Sequence, residues 1–278
     1  MDSGTDILDI VSARKASGAP FALATVVRTV AATAAKAGAK AVISSDGAIS
    51  EGWIGGGCAR AAVVKAAKQC LVDGRSRLVS IAPKEDLDEL GVAPGEDREG
   101  VFYAKNACPS QGTMDIFVEP VLPKPRLLIL GASPVAVALA DLAPGFGFET
   151  TAAAQPADLP RFPAGVSRVE GFKPQSACDY VVVSTQGAGD RAALKTASQM
   201  PARYVAFVGS RRKAETLRRE LAAEGVSEDR LARIKAPAGL DISAITAEEI
   251  ALSILAEMIS VRRARDRADA AASEGVSA

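Results

Sequence analysis

The chain has 278 residues, 48% of them hydrophobic, with 33 Lys and Arg against 33 Asp and Glu. That length holds two ordinary domains with substantial cores, and the balanced charge argues against a broad nucleic-acid or acidic-membrane surface. There is no histidine, which removes imidazole catalysis and every His-ligated metal site.

Acid–base chemistry would therefore fall to carboxylates, Lys, Tyr or Cys. No Cys-x-x-Cys pair is present, so no metal site is predicted. No apolar run approaches the ~18–20 residues of a membrane span. The first residues lack the basic and apolar regions of a secretory signal, and the four cysteines follow no regular spacing. Together these predict reduced thiols and a cytoplasmic protein.

Ile7, Leu8 and Val11 give a short first helix one apolar face, and Gly18 ends it. Residues 21–30 are β-branched and apolar, a buried strand, and residues 31–38 form a loop. A second strand covers 40–44, Asp46-Gly47 signals a hairpin turn, and 48–52 return along it. The chain then reads Gly52-Trp53-Ile54-Gly55-Gly56-Gly57-Cys58-Ala59-Arg60, with three consecutive glycines and the only tryptophan. Residues 59–71 read as a helix, which puts Cys58 near its N-terminus. There the dipole favours a thiolate and a bound anion alike, so Gly55, Gly56 and Gly57 could form a nest that Cys58 faces. The plain alternative is a tight turn with a buried cysteine.

Val63, Ala67, Cys70 and Leu71 share the inner face of that helix, so Cys70 is read as core. A short strand follows at 77–81. Residues 82–100, rich in Pro, Gly and acids, read as a mobile insert with at most a short helix. Cys108 lies in a turn-forming loop where ligand contacts concentrate, and a strand follows at 114–118. Pro120, Pro123 and Pro125 mark a stiff linker, which divides the chain into domains at 1–122 and 123–262, with a disordered tail at 263–278.

Leu127 to Leu130 is a continuous apolar run, as in a parallel strand covered on both faces. Gly131, Ser133 and Ala136 then give a Gly-x-Ser-x-x-Ala version of the dinucleotide fingerprint, with Ser133 as N-cap and Pro134 at the first helical position. The central glycine is replaced, and the acid that would bind ribose at the end of the next strand, about 148–153, is missing. A Rossmann-like unit is predicted, and NAD(P) binding is not. Another buried strand, 180–184, leads to a ligand-facing loop with Gln186, and Asp190 caps the next helix. Cys178 is read as structural. A strand at 204–208 ends in Gly209-Ser210-Arg211-Arg212-Lys213. Three cations at the positive end of a helix dipole oppose helix stability unless an anion sits among them, or unless they simply point to water. A short strand is expected near 231–234. Thr246 and Glu249 form a capping box, with Ile245 stapled to Ile250. Ile250, Ile254, Met258 and Val261 form an apolar stripe, which leaves Glu248, Glu249 and Glu257 as cap or solvated residues.

Residues 52–60, 108–120, 204–213 and 236–263 together resemble the XdhC/CoxF/CoxI family of molybdenum-hydroxylase maturation factors. The resemblance runs in order over nearly the whole chain. It implies an α/β fold: a family-specific N-terminal α/β domain followed by a Rossmann-like domain. It also implies a maturation chaperone rather than a turnover enzyme. Such a protein binds the molybdenum cofactor, a molybdopterin with or without a cytosine nucleotide, and supports its sulfuration and its insertion into an apo-molybdenum hydroxylase. A cysteine desulfurase as sulfur donor and a homodimer are further implications. Carried onto this sequence, Cys58 is the reactive thiol. The cofactor contacts fall to Gly55, Gly56, Gly57, Cys58, Cys108, Gly131, Ser133, Gln186, Gly209, Ser210, Arg211, Arg212 and Lys213. Cys108-Pro109-Ser110 and Thr185-Gln186 depart from xanthine-dehydrogenase-type members and resemble the carbon monoxide dehydrogenase branch.

Two other readings predict different observations. An NAD(P)-dependent oxidoreductase on the Rossmann half would bind NAD(H) saturably. A thiol-based redox or scaffold protein would bind no pterin and would join Cys58 to Cys108 on oxidation.

Overall fold

The computed structural model describes residues 6–109, 111–173 and 178–274. The chain divides into two compact units, Met1–Pro123 together with Asp266–Ala278, and Lys124–Arg265.

The first unit is built on a seven-stranded mixed sheet in the order β3-β2-β1-β7-β4-β6-β5. The strands are β1 (Phe21–Val30), β2 (Lys40–Ser44), β3 (Ile49–Gly52), β4 (Arg77–Ala82), β5 (Asp97–Arg98), β6 (Val101–Lys105) and β7 (Thr113–Val121). The helices are α1 (Ile7–Ser17), α2 (Gly57–Asp73) and α3 (Lys84–Leu90). Strand alternation explains the layers. Ala22, Ala24 and Val26 of β1 turn to one face and meet α2, whose Ala59, Ala62, Val63, Ala66, Ala67 and Cys70 recur at helical spacing. Phe21 and Leu23 turn to the other face and meet Ile7 and Val11 of α1. The small side chains of α2 let the helix lie close on the sheet.

Strand directions decide where the loops gather. β7 runs antiparallel to both β1 and β4, and β6 runs parallel to β4. β3 ends opposite the start of β2, with Gly52 across from Ala41. The loops that follow β1, β3 and β6 therefore emerge at one end of the sheet.

The second unit holds a six-stranded, all-parallel sheet in the order β10-β9-β8-β11-β12-β13. Its strands are β8 (Arg126–Leu130), β9 (Glu149–Ala154), β10 (Ser167–Glu170), β11 (Tyr180–Val183), β12 (Tyr204–Phe207) and β13 (Ile234–Lys235). Its helices are α4 (Pro134–Leu142), α5 (Asp190–Gln199), α6 (Arg211–Ala223), α7 (Glu228–Ala232) and, as far as Arg265, α8 (Ala247–Glu274). Counted within the unit, the strands run third, second, first, fourth, fifth, sixth, the order of a dinucleotide-binding Rossmann sheet. The order reverses between β8 and β11. Leu127 and Ile129 face α4 and α8, while Leu128 and Leu130 face the layer of α5, α6 and α7. Burial on both faces is what the continuous apolar run at the start of this unit predicts.

Several expectations need correction. Residues 82–100 are not a loose insert, because Leu87 and Val92 close a small core with Ala82 and anchor α3. Pro120 lies inside β7 opposite Ala22, not in a linker. β6, β10 and α7 have no counterpart among the expected elements. The short strand expected near 231–234 is instead the last turn of α7 followed by β13. The capping box forms, with Glu249 N–H donating to Thr246 Oγ1 at 3.2 Å and Thr246 N–H to Glu249 Oε2 at 2.9 Å. The staple does not, since Ile245 is 86% exposed. The helix expected to give way to a tail after residue 262 continues to Glu274, in keeping with the helix propensity of Ala264, Ala268, Ala270, Ala271 and Ala272. Residues 275–278 lie outside the described residues.

Candidate functional site

The bend before α2 is fixed at both ends. Gly52 has φ +79°, and a Cβ there would strike the Lys40 carbonyl, so only glycine can close β3. The Trp53 N–H donates to the same carbonyl at 2.9 Å. Ile54 is buried beneath the bend. Gly55 has φ +116°, and a Cβ would sit 3.2 Å from both Ala59 Cβ and Met114 Cε. Gly56 is the N-cap of α2, with no side-chain cap bond, and Cys58 stands in the first turn. Cys58 is exposed, so the alternative of a buried cysteine in a tight turn does not hold.

Cys108 is exposed as well. Its loop is clamped by Asn106, whose Oδ1 accepts from the Cys108 N–H at 2.9 Å and whose Nδ2 donates to the Gly112 carbonyl at 2.6 Å. Gln111 bridges to Ala32 in the loop after β1. Gly55, Gly56, Gly57, Cys58 and the Cys108 loop thus belong to the same end of the first unit's sheet. Ser110, part of the departure noted in the sequence, lies outside the described residues. Cys70 is buried in the core, where burial pushes its thiol up despite the nearby Arg77.

In the second unit, Gly131, Ser133, Gln186 and residues 209–213 all follow the carboxyl ends of β8, β11 and β12. This is the edge where ligands bind in open parallel sheets. Gly131 has φ +110°, and a Cβ would collide with the Ser184 carbonyl of the neighbouring strand's exit loop. Ser133 caps α4 by accepting from the Ala136 N–H at 3.2 Å, and its hydroxyl also pairs with that of Ser184 at 2.6 Å. Its hydroxyl is thus already engaged inside the protein. The residue after β9, where a ribose-binding acid would stand, is the exposed Gln155. Gln186 is exposed with φ +54°.

Ser210 caps α6, accepting from the Lys213 N–H at 3.3 Å. Gly209 leaves room for the Phe207 ring, which a Cβ would overlap. The three cations behind the cap do not act alike. Lys213 turns back to pair with Asp190 and lies 5.6 Å over the Phe207 ring. Arg211 and Arg212 are exposed and, among the described residues, pair with no carboxylate. Anion binding at this turn therefore falls to the two arginines and the backbone.

The helix cap expected of Asp190 is filled instead by Gly189 in the left-handed conformation. The buried Asp190 carboxylate accepts from Lys213 Nζ, the Thr185 hydroxyl and, at 3.1 Å, the Gly187 N–H. Burial alone would raise its pKa, yet these donors outweigh burial and hold the carboxyl below the usual range. It ties the loop after β11 to α6. Glu257, expected to be solvated, is buried. It accepts from the Tyr204 hydroxyl at 2.5 Å, the Gly239 N–H at 2.9 Å and the Lys235 ammonium. The Glu257 role has no local sequence signal, because its partners arrive from other elements, and for Asp190 the same holds of Lys213.

A cleft of about 630 Å³ lies at the opposite end of the first unit's sheet, lined by Lys65, Gln69, Arg77, Asp97, Gly100 and Phe102 among others. None of the predicted site residues lines it. Among the described residues no group of His, Cys, Asp or Glu is arranged to hold a metal ion, and no helix is long and apolar enough to cross a membrane.

Two family models match the chain, one described as the XdhC and CoxI family over residues 15–82 and one as the XdhC Rossmann domain over residues 127–258. The Escherichia coli (strain K12) protein YqeB, itself uncharacterized, is 29% identical over 259 residues, which are 87% of this chain and 44% of YqeB. A Bacillus subtilis (strain 168) protein named as a probable xanthine dehydrogenase subunit is 28% identical over 162 residues, 54% of this chain and 47% of that one. The chain thus spans less than half the length of the curated relatives it matches. A solved structure described as a xanthine dehydrogenase from Bacillus halodurans aligns at 19% identity with a TM-score of 0.46, covering 94% of this chain and 97% of that one.

Proposed function

The chain belongs to the XdhC and CoxI family, and from that premise we propose that it binds the molybdenum cofactor, supports its sulfuration and delivers it to an apo-molybdenum hydroxylase. The observation that carries this reading is the exposed Cys58 thiol in the first turn of α2, beside glycines that leave the backbone open. The cargo is an anionic pterin dithiolene that carries molybdenum. A cysteine sulfur at the start of a helix suits its metal end. Gly55, Gly56, Gly57 and Cys58 would make those contacts, with Cys108 as a second thiol from the same end of the sheet. In the second unit, and independently of the first, Arg211 and Arg212 with the backbone of Gly209 and Ser210 would form an anion site that suits a phosphate. Lys213, Gly131 and Ser133 would support that turn and its neighbour rather than touch the ligand. Gln186 would flank that anion site from the loop after β11.

A cysteine desulfurase is the expected sulfur donor, and a homodimer the expected assembly. Cys108-Pro109 and Thr185-Gln186 incline the client toward carbon monoxide dehydrogenase. Loading of apo-carbon monoxide dehydrogenase in preference to apo-xanthine dehydrogenase is the corresponding outcome.

Anaerobic reconstitution with molybdenum cofactor, followed by gel filtration, tests the proposal. Wild type should retain the cofactor. Cys58→Ala and Arg211→Ala/Arg212→Ala should each retain it less. Undiminished retention in both variants would remove the site assignment, and no retention by wild type would remove the function. The strand order of the second unit favours one rival, an NAD(P)-dependent oxidoreductase. Gln155 at the ribose position and Ser133 in place of the central glycine oppose it, and saturable NAD(H) binding in a calorimeter together with hydride transfer would restore it.

A further inference from the structure

The bend before α2 contains four glycines within six residues, and the fold requires only two of them. Gly52 and Gly55 have positive φ, and a side chain on either would press on its neighbours. Gly56 and Gly57 differ. Neither has positive φ, and a Cβ on either would stand in open space with nothing within 4 Å. Gly56 is extended, at φ −79° and ψ −164°. Ser, Thr, Asp or Asn would fit there and cap α2. Alanine at Gly57 would favour the helix. The sequence forgoes both gains. Glycine where the chain's own packing does not demand it points to close approach of something else to the backbone.

Trp53 supplies an independent observation. It is the only tryptophan in the chain and it is 57% exposed. The ring is not carried on a slack loop. The Trp53 main-chain N–H is bonded to the Lys40 carbonyl, Gly52 before it is conformationally fixed, and Ile54 after it is 1% exposed. An indole held outward by backbone anchored on both sides presents a large apolar face with little entropy left to lose, the arrangement found at binding hot spots.

We propose that Trp53 and the bare backbone of Gly56 and Gly57 form a shelf for a flat heteroaromatic ring, with the indole as its stacking surface and the glycines as the place where the ring's edge meets main-chain groups. The inference rests on the maturation role proposed above, in which that ring is the pterin of the molybdenum cofactor. A protein partner could also use an exposed tryptophan, but it has no need of two missing Cβ atoms. A flat ligand lying against the main chain does. Cys58, the exposed thiol of the maturation proposal, follows Gly57 directly in the chain.

The test is a titration of the full chain with molybdenum cofactor under anaerobic conditions, read by tryptophan emission and by cofactor retained on gel filtration. Wild type should show saturable quenching, since all tryptophan emission comes from Trp53. In the retention assay, Trp53→Ala should raise the dissociation constant by about tenfold or more, the lower range of aromatic stacking on a base. Trp53→Phe, which keeps an aromatic face, should remain within about threefold of wild type by the same reasoning. Gly57→Ala should weaken retention without loss of helical circular dichroism. Retention unchanged in Trp53→Ala and Gly57→Ala would overturn the shelf while leaving the maturation role intact. Retention unchanged together with weaker capture of an apo-hydroxylase would overturn it in favour of client docking. Failure of wild type to bind the cofactor would overturn the maturation role, and the shelf with it.

Discussion

In the second unit Gly131 stands at φ +110° with the Ser184 carbonyl where its Cβ would go, whereas in the first unit Gly56 and Gly57 face open space ahead of α2. Both lie in Gly-containing turns that lead from a strand into a helix, and in the sequence they look alike. The structure separates them by what a methyl group would meet. Gly131 is glycine because the neighbouring strand's exit loop passes too close. Gly56 and Gly57 have no such internal reason, and the cause has to be sought outside the folded chain. A glycine motif therefore becomes informative about ligands only after the glycines that the fold consumes have been subtracted.

Substitutions can break or sharpen this contrast. The largest effect is expected at Gly131→Ala, where the left-handed backbone and the carbonyl clash act together. A loss of about 3 kcal/mol in chemical denaturation of the second unit is predicted. A loss near zero would remove the contrast. Next is Asp190→Ala, which strips the loop after β11 of its tie to Lys213, at about 2 kcal/mol for hydrogen bonds to a charged group. This variant also carries a pH signature. The folded state holds the Asp190 carboxyl below its ordinary value of 3.8, because the donors outweigh the burial that alone would raise it. The stability it contributes is thus complete above that value and is lost as pH falls through the lowered one. Wild type and Asp190→Ala should converge in stability under acid, and a constant gap down to the lowest pH at which both fold would contradict the assignment. The smallest effect, and the one of opposite sign, is expected at Gly57→Ala. Stability should rise by about 0.4–1 kcal/mol in thermal unfolding while cofactor retention falls. A destabilised Gly57→Ala would mean that the fold needs this glycine after all.

Most of the fold is legible wherever apolar residues run continuously or alternate. β1 and β2 occupy the expected residues, and β8, β11 and β12 follow from short runs that only a sheet covered on both faces would bury. Ser133 with Pro134, Ser210, and Thr246 with Glu249 mark the starts of three helices through local capping chemistry. What stays hidden depends on distant partners. Residues 82–100 carry the composition of a loop, and two apolar anchors, Leu87 and Val92, are too few to show a period. β6 and β10 are short strands of mixed sequence whose identity comes from the strands beside them. Glu257 lies on an amphipathic helix where an acid normally meets water, and only folding brings Tyr204, Lys235 and Gly239 to it. The site is legible in the same uneven way. Exposure of Cys58 and Cys108 agrees with their place in loops and a first helical turn, but the diversion of Lys213 to Asp190 cannot be seen in a run of three cations.

The seven-stranded sheet also bears on how the chain comes to be made. Its two halves, the β1–β2–β3 meander and the β4–β5–β6 group, have no strand pairing with each other except through β7, which is last in the order of synthesis yet sits between them. Phe21 can pair early with Ser44 of β2, but its partner on the other side, Val121, arrives only with β7. On the ribosome the earlier strands must wait with open edges until that final strand emerges. A stall or a premature stop before residue 113 would thus leave one chain with two unjoined half-sheets instead of a smaller working domain.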